Sequence, residues 1–318
     1  GQAAFAYVAL WRRGVAPHSR MAATSKLLNN LCLACIICAD AGVSIFLRIL
    51  GPILVVVANG LIALVVYMYI WILLPRYLVH EVGKTVAYTA VTFGLFLLAN
   101  ILFNYWSCVL TRPGFPGHHL ADIDLEPGEE DPYGFGKFCR KCKVPKPPRT
   151  HHCSVCRRCV MKMDHHCPWV NNCVGFYNYK YFCLFLLYLA AGCCFTAVSC
   201  AIPLFHDEDM RRDQLIIFVF VLVLSVLFAL MLFIVWHVYL VLTNQTTIEF
   251  YANRFDSSDA KQRGEIWVNP YSMGWRENFV QVFGPSRNCV AWLLPSWKPP
   301  PGNGMDFPQN ESGYMHRL

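Results

Sequence analysis

Seven of the chain's 16 cysteines fall between residues 139 and 173, interleaved with histidines: Cys139, Cys142, His152, Cys153, Cys156, Cys159, His165, His166, Cys167 and Cys173. A two-residue gap, as between Cys139 and Cys142 or between Cys153 and Cys156, lets one tight turn aim two sulfurs at one ion. That is the usual construction of a structural zinc site, which takes four ligands. Two Cys3His sites consume six cysteines and two histidines, so seven cysteines and three histidines leave one thiol and one imidazole over. Counting alone does not say which. The run Asp164-His165-His166-Cys167 sets an acid, two imidazoles and a thiol side by side, the parts of a nucleophile, its base and an orienting carboxylate. Adjacent side chains point in different directions, so one histidine can turn to a metal while the other faces the thiol.

These residues lie between apolar runs. The 318-residue chain is 56% hydrophobic and 15% charged, against about 25% charged in an average soluble domain. That excludes intrinsic disorder and an ordinary cytosolic enzyme. Four stretches, 53–74, 86–110, 181–204 and 215–242, are each long enough to cross about 30 Å of hydrocarbon as a helix. The last has 28 residues without a formal charge, a length that implies tilt or projection beyond the bilayer. Tyr67, Tyr69 and Trp71 read as an interfacial aromatic belt near the end of the first.

Of the 27 Lys and Arg residues, 23 lie before the first stretch, between the second and third, or after the fourth; four lie in the two opposite connections. By the positive-inside bias both termini and the cysteine-rich segment face the cytosol, where a disulfide framework does not persist. The net charge of +7 follows the same asymmetry and points to a membrane surface, not nucleic acid. Residues 31–47 are apolar apart from Asp40 and read as an interfacial or partly re-entrant helix. The apolar run comes too late for a cleaved signal peptide. No internal repeat or recurring set of ionisable residues suggests a transporter.

The expected architecture is an α-helical polytopic membrane protein with four transmembrane helices. A cytosolic N-terminal segment spans 1–52, helices 1 and 2 fall in 53–110, and helices 3 and 4 in 181–242. Between the pairs, 111–180 forms a cytosolic cysteine-rich domain binding two structural zincs. The C-terminal domain covers 243–318.

The array Cys139-Arg-Lys-Cys142, His152-Cys153-Ser-Val-Cys156-Arg-Arg-Cys159, Asp164-His165-His166-Cys167 and Cys173 resembles the DHHC protein S-acyltransferase (palmitoyltransferase) family. The likeness is close over about residues 100–250 and reaches about residue 285 through weaker tail motifs. It implies one zinc on Cys139, Cys142, His152 and Cys159 and another on Cys153, Cys156, His166 and Cys173. It also implies Cys167 as the acyl-accepting nucleophile, His165 as its base and Asp164 as the carboxylate orienting His165. The motif Thr246-Thr247-Ile248-Glu249 matches the family's short run after the last span: Thr247 is similar to a residue bonding near the catalytic Asp, and Glu249 to one bracing the zinc domain. Asn278 resembles the tail residue that ties the C-terminal segment to the membrane core. Where the family often has Asp-Pro-Gly after the second span, this chain has Arg112-Pro113-Gly114; Pro and Gly still supply the turn, and any contact made by the Asp is absent. The ending from Leu293 to Met305 resembles a branch associated with the endoplasmic reticulum, so an endoplasmic-reticulum or Golgi location is expected.

The resemblance implies a ping-pong transfer of a fatty acyl group from acyl-CoA, the co-substrate, to protein cysteines. An acyl tail prefers the bilayer by about 0.8 kcal/mol per methylene, so a thiol at the cytosolic membrane face suits the reaction. The tail should enter a cavity among the spans, with Phe182, Phe185, Tyr188 and Phe195 as candidate lining and Ala190, Ala191, Gly192, Cys193 and Cys194 allowing close helix approach or a gap. Basic candidates for CoA phosphates or anionic lipid are Lys141, Lys143, Lys146, Arg149, Arg157, Arg158 and Lys162. Cys32, Cys35 and Cys38 read as packing residues or as sites of modification of the protein itself, and Cys108, Cys183 and Cys200 as packing residues. Expected partners are cytosol-facing proteins with juxtamembrane or lipid-anchored cysteines, membrane lipids, and an accessory protein or a second copy. A zinc scaffold without activity explains the spans and ligands but leaves Asp164, His165 and Cys167 idle, and the Cys/His order does not resemble a RING domain.

Overall fold

The computed structural model describes residues 21–118, 138–286, 290–310 and 314–316. Four helices are long and apolar enough to cross a membrane, covering Ala41–His80, Lys84–Leu110, Tyr179–His206 and Gln214–Leu242. The first, α1 (Met21–Met68), continues as a wider π-helical stretch, Tyr69–Val82, that carries Pro75. Gly83, at φ 90°, ends it and opens α2 (Lys84–Leu110). Next come α3 (Tyr179–His206) and α4 (Gln214–Leu242). Asp213 caps α4, its side chain accepting from the backbone N–H groups of Leu215 and Ile216 at 3.0 and 3.4 Å. Apolar side chains point outward as well as inward: Phe228 and Leu232 of α4 and Val56 of α1 are exposed. Helices hydrophobic all round are what a bilayer accommodates. The third is the central one and packs against both α2 and α4.

Two expectations change at the first span. Residues 31–47 do not form a separate interfacial or re-entrant element; the backbone of α1 runs through them unbroken into the span. Their apolar run has no Gly or Pro punctuation before Gly42, so nothing stops the helix. Tyr69 does not join the aromatic belt. It is buried, its ring 5.4 Å from that of Phe195, while Tyr67 and Trp71 are exposed.

Between α2 and α3 the described chain folds into three antiparallel hairpins: β1 (Phe138–Cys139) with β2 (Val144–Pro145), β3 (His151–Cys153) with β4 (Arg158–Val160), and β5 (His165–Cys167) with β6 (Asn172–Val174). Each turn carries a residue in the left-handed region, Lys143, Arg157 and Asn171, at φ 54°, 55° and 48°. The acidic stretch from Asp122 to Asp131 lies outside the described residues.

The hairpins are fastened to the bundle by polar side chains that complete helix ends. Asn172 Nδ2 donates to the carbonyls of Cys108, Val109 and Thr111, where α2 ends with unpaired acceptors. Buried Asn178 accepts from Gly175 N at 2.8 Å and donates to Cys173 O at 2.8 Å. Gly175 admits no side chain: a Cβ there would meet Val160 Cγ1 at 2.8 Å and Met161 O at 2.9 Å. From α1, Arg48 donates to the carbonyls of Ser154 and Val155.

After α4, a capping box opens α5 (Thr247–Gln262). Strand β7 (Glu265–Trp267) pairs with β8 (Tyr314–His316), and α6 (Trp275–Phe283) lies between them in sequence. Fully buried Asn278 of α6 donates to Leu242 O at 2.7 Å and to Ser272 Oγ at 3.1 Å, and accepts from Met273 N at 2.8 Å. It thus joins the C-terminal segment to the last carbonyls of α4.

Candidate active site and metal clusters

The strand register explains the interleaved sequence. In β3–β4, His152 sits opposite Cys159; in β5–β6, His166 sits opposite Cys173. Each cross-strand pair meets the two cysteines of the preceding turn, so Cys139, Cys142, His152 and Cys159 form one group and Cys153, Cys156, His166 and Cys173 another. Within each group all four ligand atoms lie within 4.8 Å of one another. His152 Nδ1 is 3.5, 3.2 and 4.0 Å from the sulfurs of Cys139, Cys142 and Cys159. His166 Nδ1 is 3.8, 3.4 and 3.6 Å from those of Cys153, Cys156 and Cys173. Tetrahedral zinc with Zn–S near 2.3 Å and Zn–N near 2.0 Å puts N and S about 3.5 Å apart. The donor sets fit that ion.

Side chains alternate along a strand, so on β5 His166 faces the metal group while His165 and Cys167 share the opposite side. His165 Nδ1 donates to Asp164 Oδ2 at 2.7 Å. Asp164 is almost wholly buried and also accepts from Thr247 N (2.9 Å) and Thr247 Oγ1 (3.0 Å). Trp236 Nε1 donates to the same hydroxyl at 3.4 Å. Burial raises the Asp164 carboxyl, but its bond to His165, the nearby imidazoles and Thr247 N–H outweigh that and hold it below its usual value. Burial likewise lowers His165, and the bonds to Asp164 and Cys167 more than reverse it, to about 10. Burial raises the Cys167 thiol; the His165 bond and charge, with the N–H groups of Val170 and Trp169, bring it below its ordinary value. Both shifts favour the thiolate and imidazolium forms of the pair, with the carboxylate hydrogen-bonded to the ring.

Cys167 and His165 stand at one end of an apolar cavity of about 620 Å³ that draws lining from all four spans, within the usual range for ligand pockets. Phe182, Phe185 and Phe195 line it, as do Gly192 and Cys193. Tyr188 does not. Its hydroxyl donates to Leu293 O and its ring lies edge-on to Phe96, 6.4 Å away, so it anchors the tail instead. Tyr105 spans cavity and hairpin, its hydroxyl donating to Trp169 O at 3.0 Å.

Two of the basic candidates are buried and serve the interior. Arg149 forms a bidentate pair with Glu249, at 2.7 and 2.6 Å, and donates to Asn244 Oδ1 and O at 3.0 Å each. Its guanidinium also lies 4.4 Å from the centre of the Tyr271 ring. Burial raises Glu249, and the Arg149 charge and hydrogen bonds bring it below the usual carboxylate range. Lys162 is buried close to Arg149, Glu249 and Asp164; burial and the Arg149 charge push its ammonium down to about 7. Lys141, Lys143, Arg157 and Arg158 are exposed, and Arg158 lies over the Phe115 ring at 4.2 Å.

Sequence reasoning missed Arg149 as the partner of Glu249, and it missed His237. That histidine, from α4, is buried beside the Asp164–His165 pair. The available signal was a lone imidazole in a 29-residue apolar helix.

Comparison with known proteins agrees with this geometry. Residues 133–254 match the family model described as DHHC palmitoyltransferase. The chain is 35% identical over 291 residues to "Probable protein S-acyltransferase 13" of Arabidopsis thaliana, covering 82% of this chain and 92% of that protein. It is 34% identical over 218 residues to "Probable protein S-acyltransferase 15" of the same plant, covering 66% and 85%. Against "Palmitoyltransferase ZDHHC16A" of Danio rerio it is 29% identical over 321 residues, covering 83% and 80%. A multi-pass membrane chain with two Cys/His clusters and a buried Asp-His-Cys arrangement at an apolar cavity is thus placed by descent as well as by shape. The chain belongs to the DHHC palmitoyltransferase family, and its class is protein-cysteine S-acyltransferase.

Proposed function

We propose that the chain moves a long-chain acyl group, palmitoyl above all, from acyl-CoA to protein cysteines through an S-acyl intermediate on Cys167. The observation that carries this reading is the place of Cys167: on the same side of its strand as His165 and, with it, lining the apolar cavity. The cavity takes the tail, and the reacting carbonyl is left beside the thiol.

In the first half-reaction the Cys167 thiolate attacks the thioester carbonyl. The bond from carbonyl carbon to CoA sulfur breaks, and His165 gives its proton to the departing thiolate. In the second, a substrate cysteine gives its proton to His165 and attacks the acyl carbon, and Cys167 leaves as a thiolate. One thioester replaces another in each step, so no ATP is consumed. Asp164 holds the imidazole orientation throughout, with Thr247 holding Asp164.

The two Cys/His groups would each bind one structural zinc, which supplies rigidity and no open coordination position. Cys139, Cys142, His152 and Cys159 would hold one, and Cys153, Cys156, His166 and Cys173 the other. Glu249, through Arg149, and Asn278 brace the C-terminal segment against this assembly. The Lys and Arg asymmetry supports a cytosolic place for 1–52, for 111–180 and for 243–318, and the tail's resemblance supports the endoplasmic reticulum or Golgi. Substrates are then cytosol-facing proteins with cysteines near the membrane or near a lipid anchor.

The test is incubation of detergent-purified protein with a clickable palmitoyl-CoA analogue, followed by peptide mapping and zinc analysis, beside Cys167→Ser. A hydroxylamine-labile adduct on Cys167, absent from the variant while two zincs remain, is the expected result. An unlabelled Cys167 in zinc-loaded protein with acyl-CoA present overturns the reading.

A further inference from the structure

An ionisable side chain inside a membrane span is costly, and those that persist face the bundle interior with a partner. His237 is such a residue. It lies near the end of α4 that meets the hairpins, is 4% exposed, and its Nδ1 is 3.0 Å from the hydroxyl of Tyr179, the first residue of α3. Its ring centre is 5.0 Å from that of Phe182 and 6.0 Å from that of His165. A ring nitrogen of His237, a ring nitrogen of His165 and a carboxylate oxygen of Asp164 all lie within 4.8 Å of one another. The hydrogen bond shown for the His237 ring is the one to Tyr179, and a separation of up to 4.8 Å from the pair admits a single bridging water.

The carboxylate has room for such a contact. An ionised Asp offers about four acceptor positions. His165 and Thr247 Oγ1 use two on Oδ2, and Thr247 N uses one on Oδ1. One acceptor position on Oδ1 is not used by these bonds, and His237 is the nearest imidazole besides His165 among the described residues.

We propose that His237, held by Tyr179, is a positioning residue for the Asp164–His165 pair. With the Tyr179 hydroxyl donating to Nδ1, the ring proton sits on Nε2 and reaches Oδ1 through one water. The carboxylate then has every acceptor filled, and His165 keeps the orientation that points its second nitrogen at Cys167. The residue acts through Asp164 and touches neither acyl group nor thiol. This inference rests on the acyl-transfer reading above.

The test is single-turnover acylation of Cys167 across a range of palmitoyl-CoA analogue concentrations in full-length, zinc-loaded protein. Wild type, His237→Phe, His237→Gln, Tyr179→Phe and Cys167→Ser are compared, with zinc content measured for each. His237→Phe keeps a ring and loses both nitrogens; its maximal acylation rate should fall about tenfold, the worth of one hydrogen bond to a charged group. The half-saturating concentration should not move, and two zincs should remain. His237→Gln, whose amide reaches the Nε2 position, should recover most of the rate. Tyr179→Phe should lose rate in the same direction. Acylation of His237→Phe at the wild-type rate, a loss tracking zinc loss alone, or a glutamine no better than phenylalanine would each overturn the proposal. Wild type labelled on Cys167 in those cases leaves the acyl-transfer reading standing, whereas an unlabelled wild type overturns both.

Discussion

Among the hairpins the small apolar cluster consists of Cys153, Val160, Met163 and Cys173, two of which are metal-group cysteines. The bundle joins Met68, Tyr105, Phe185, Val219 and many others from all four spans into one large cluster. One region gathers eight Cys and His ligand atoms into two groups, the other packs apolar side chains. In the hairpins a residue's neighbours follow from its spacing, because the turn and the register put them there. In the bundle they follow from which face of a helix meets which other helix, and that depends on three further helices.

The strongest way to break this contrast is to remove a ligand. A structural zinc site is worth about 10–16 kcal/mol of apparent binding energy at neutral pH. Cys173→Ser should therefore lose zinc and all acylation of Cys167, while circular dichroism retains the helical signal of the spans. Cys167→Ser, on the paired strand of the same hairpin but facing away from the metal group, should keep both zincs. Collapse of helicity together with zinc loss would show that the two regions are not held separately.

Next in size is the clamp between the regions. Arg149 is buried and pairs with Glu249 across 100 residues of sequence, and removing one partner of a buried pair costs about 3–5 kcal/mol. Arg149→Ala should lower the thermal midpoint sharply, and Arg149→Lys, lacking the planar fork, should rescue only part of it.

A smaller effect is expected at the bundle's own recognition element. A Cβ on Gly192 would come within 2.9 Å of Ile101 Cδ1, and one on Gly94 within 3.0 Å of the Phe195 ring. Gly192→Leu should shift acyl preference to shorter chains, by about 1 kcal/mol or more per methylene that no longer fits. Phe195→Ala should shift it to longer ones. Competition among acyl-CoA lengths in the labelling assay measures both, and unchanged preference in both variants would remove the cavity from chain selection.

The smallest effect is pH-dependent. Lys162 titrates near 7 in the folded protein because burial and Arg149 disfavour its charge, against an ordinary value of 10.5. Between those values the unfolded chain holds the extra proton, so this residue's destabilising contribution is full below about pH 7 and fades as pH rises toward 10.5. Lys162→Met should exceed wild type in stability at pH 7, and the gap should narrow at pH 9.5, read as thermal midpoints at both values.

The same contrast explains what was legible beforehand. The two ligand groups and the Asp-His-Cys trio could be written from spacing and resemblance because hairpin register makes them local. Thr247 and Glu249 came from a short motif. Phe185 and Tyr188 were indistinguishable in sequence, three residues apart on one apolar helix; only packing sends one into the cavity and the other to Leu293 O. Tyr69 looked interfacial because its neighbours Tyr67 and Trp71 are, yet the helix phase turns it inward to Phe195. Arg149 and Lys162 looked like surface charges because nothing local announces that α5 and the tail will cover them. His237 went unread because neutral histidine adds nothing to a charge count.

The bonds from Thr247 to Asp164 join residues 83 positions apart, and α3 and α4 lie between them. During synthesis the cysteine array emerges first, with all eight Cys and His ligand atoms of its two groups. The carboxylate's remaining donors arrive only after the last span has been inserted and the chain has turned back. A half-made chain therefore holds Asp164 with only part of its donor set, and the set is complete only in the finished bundle.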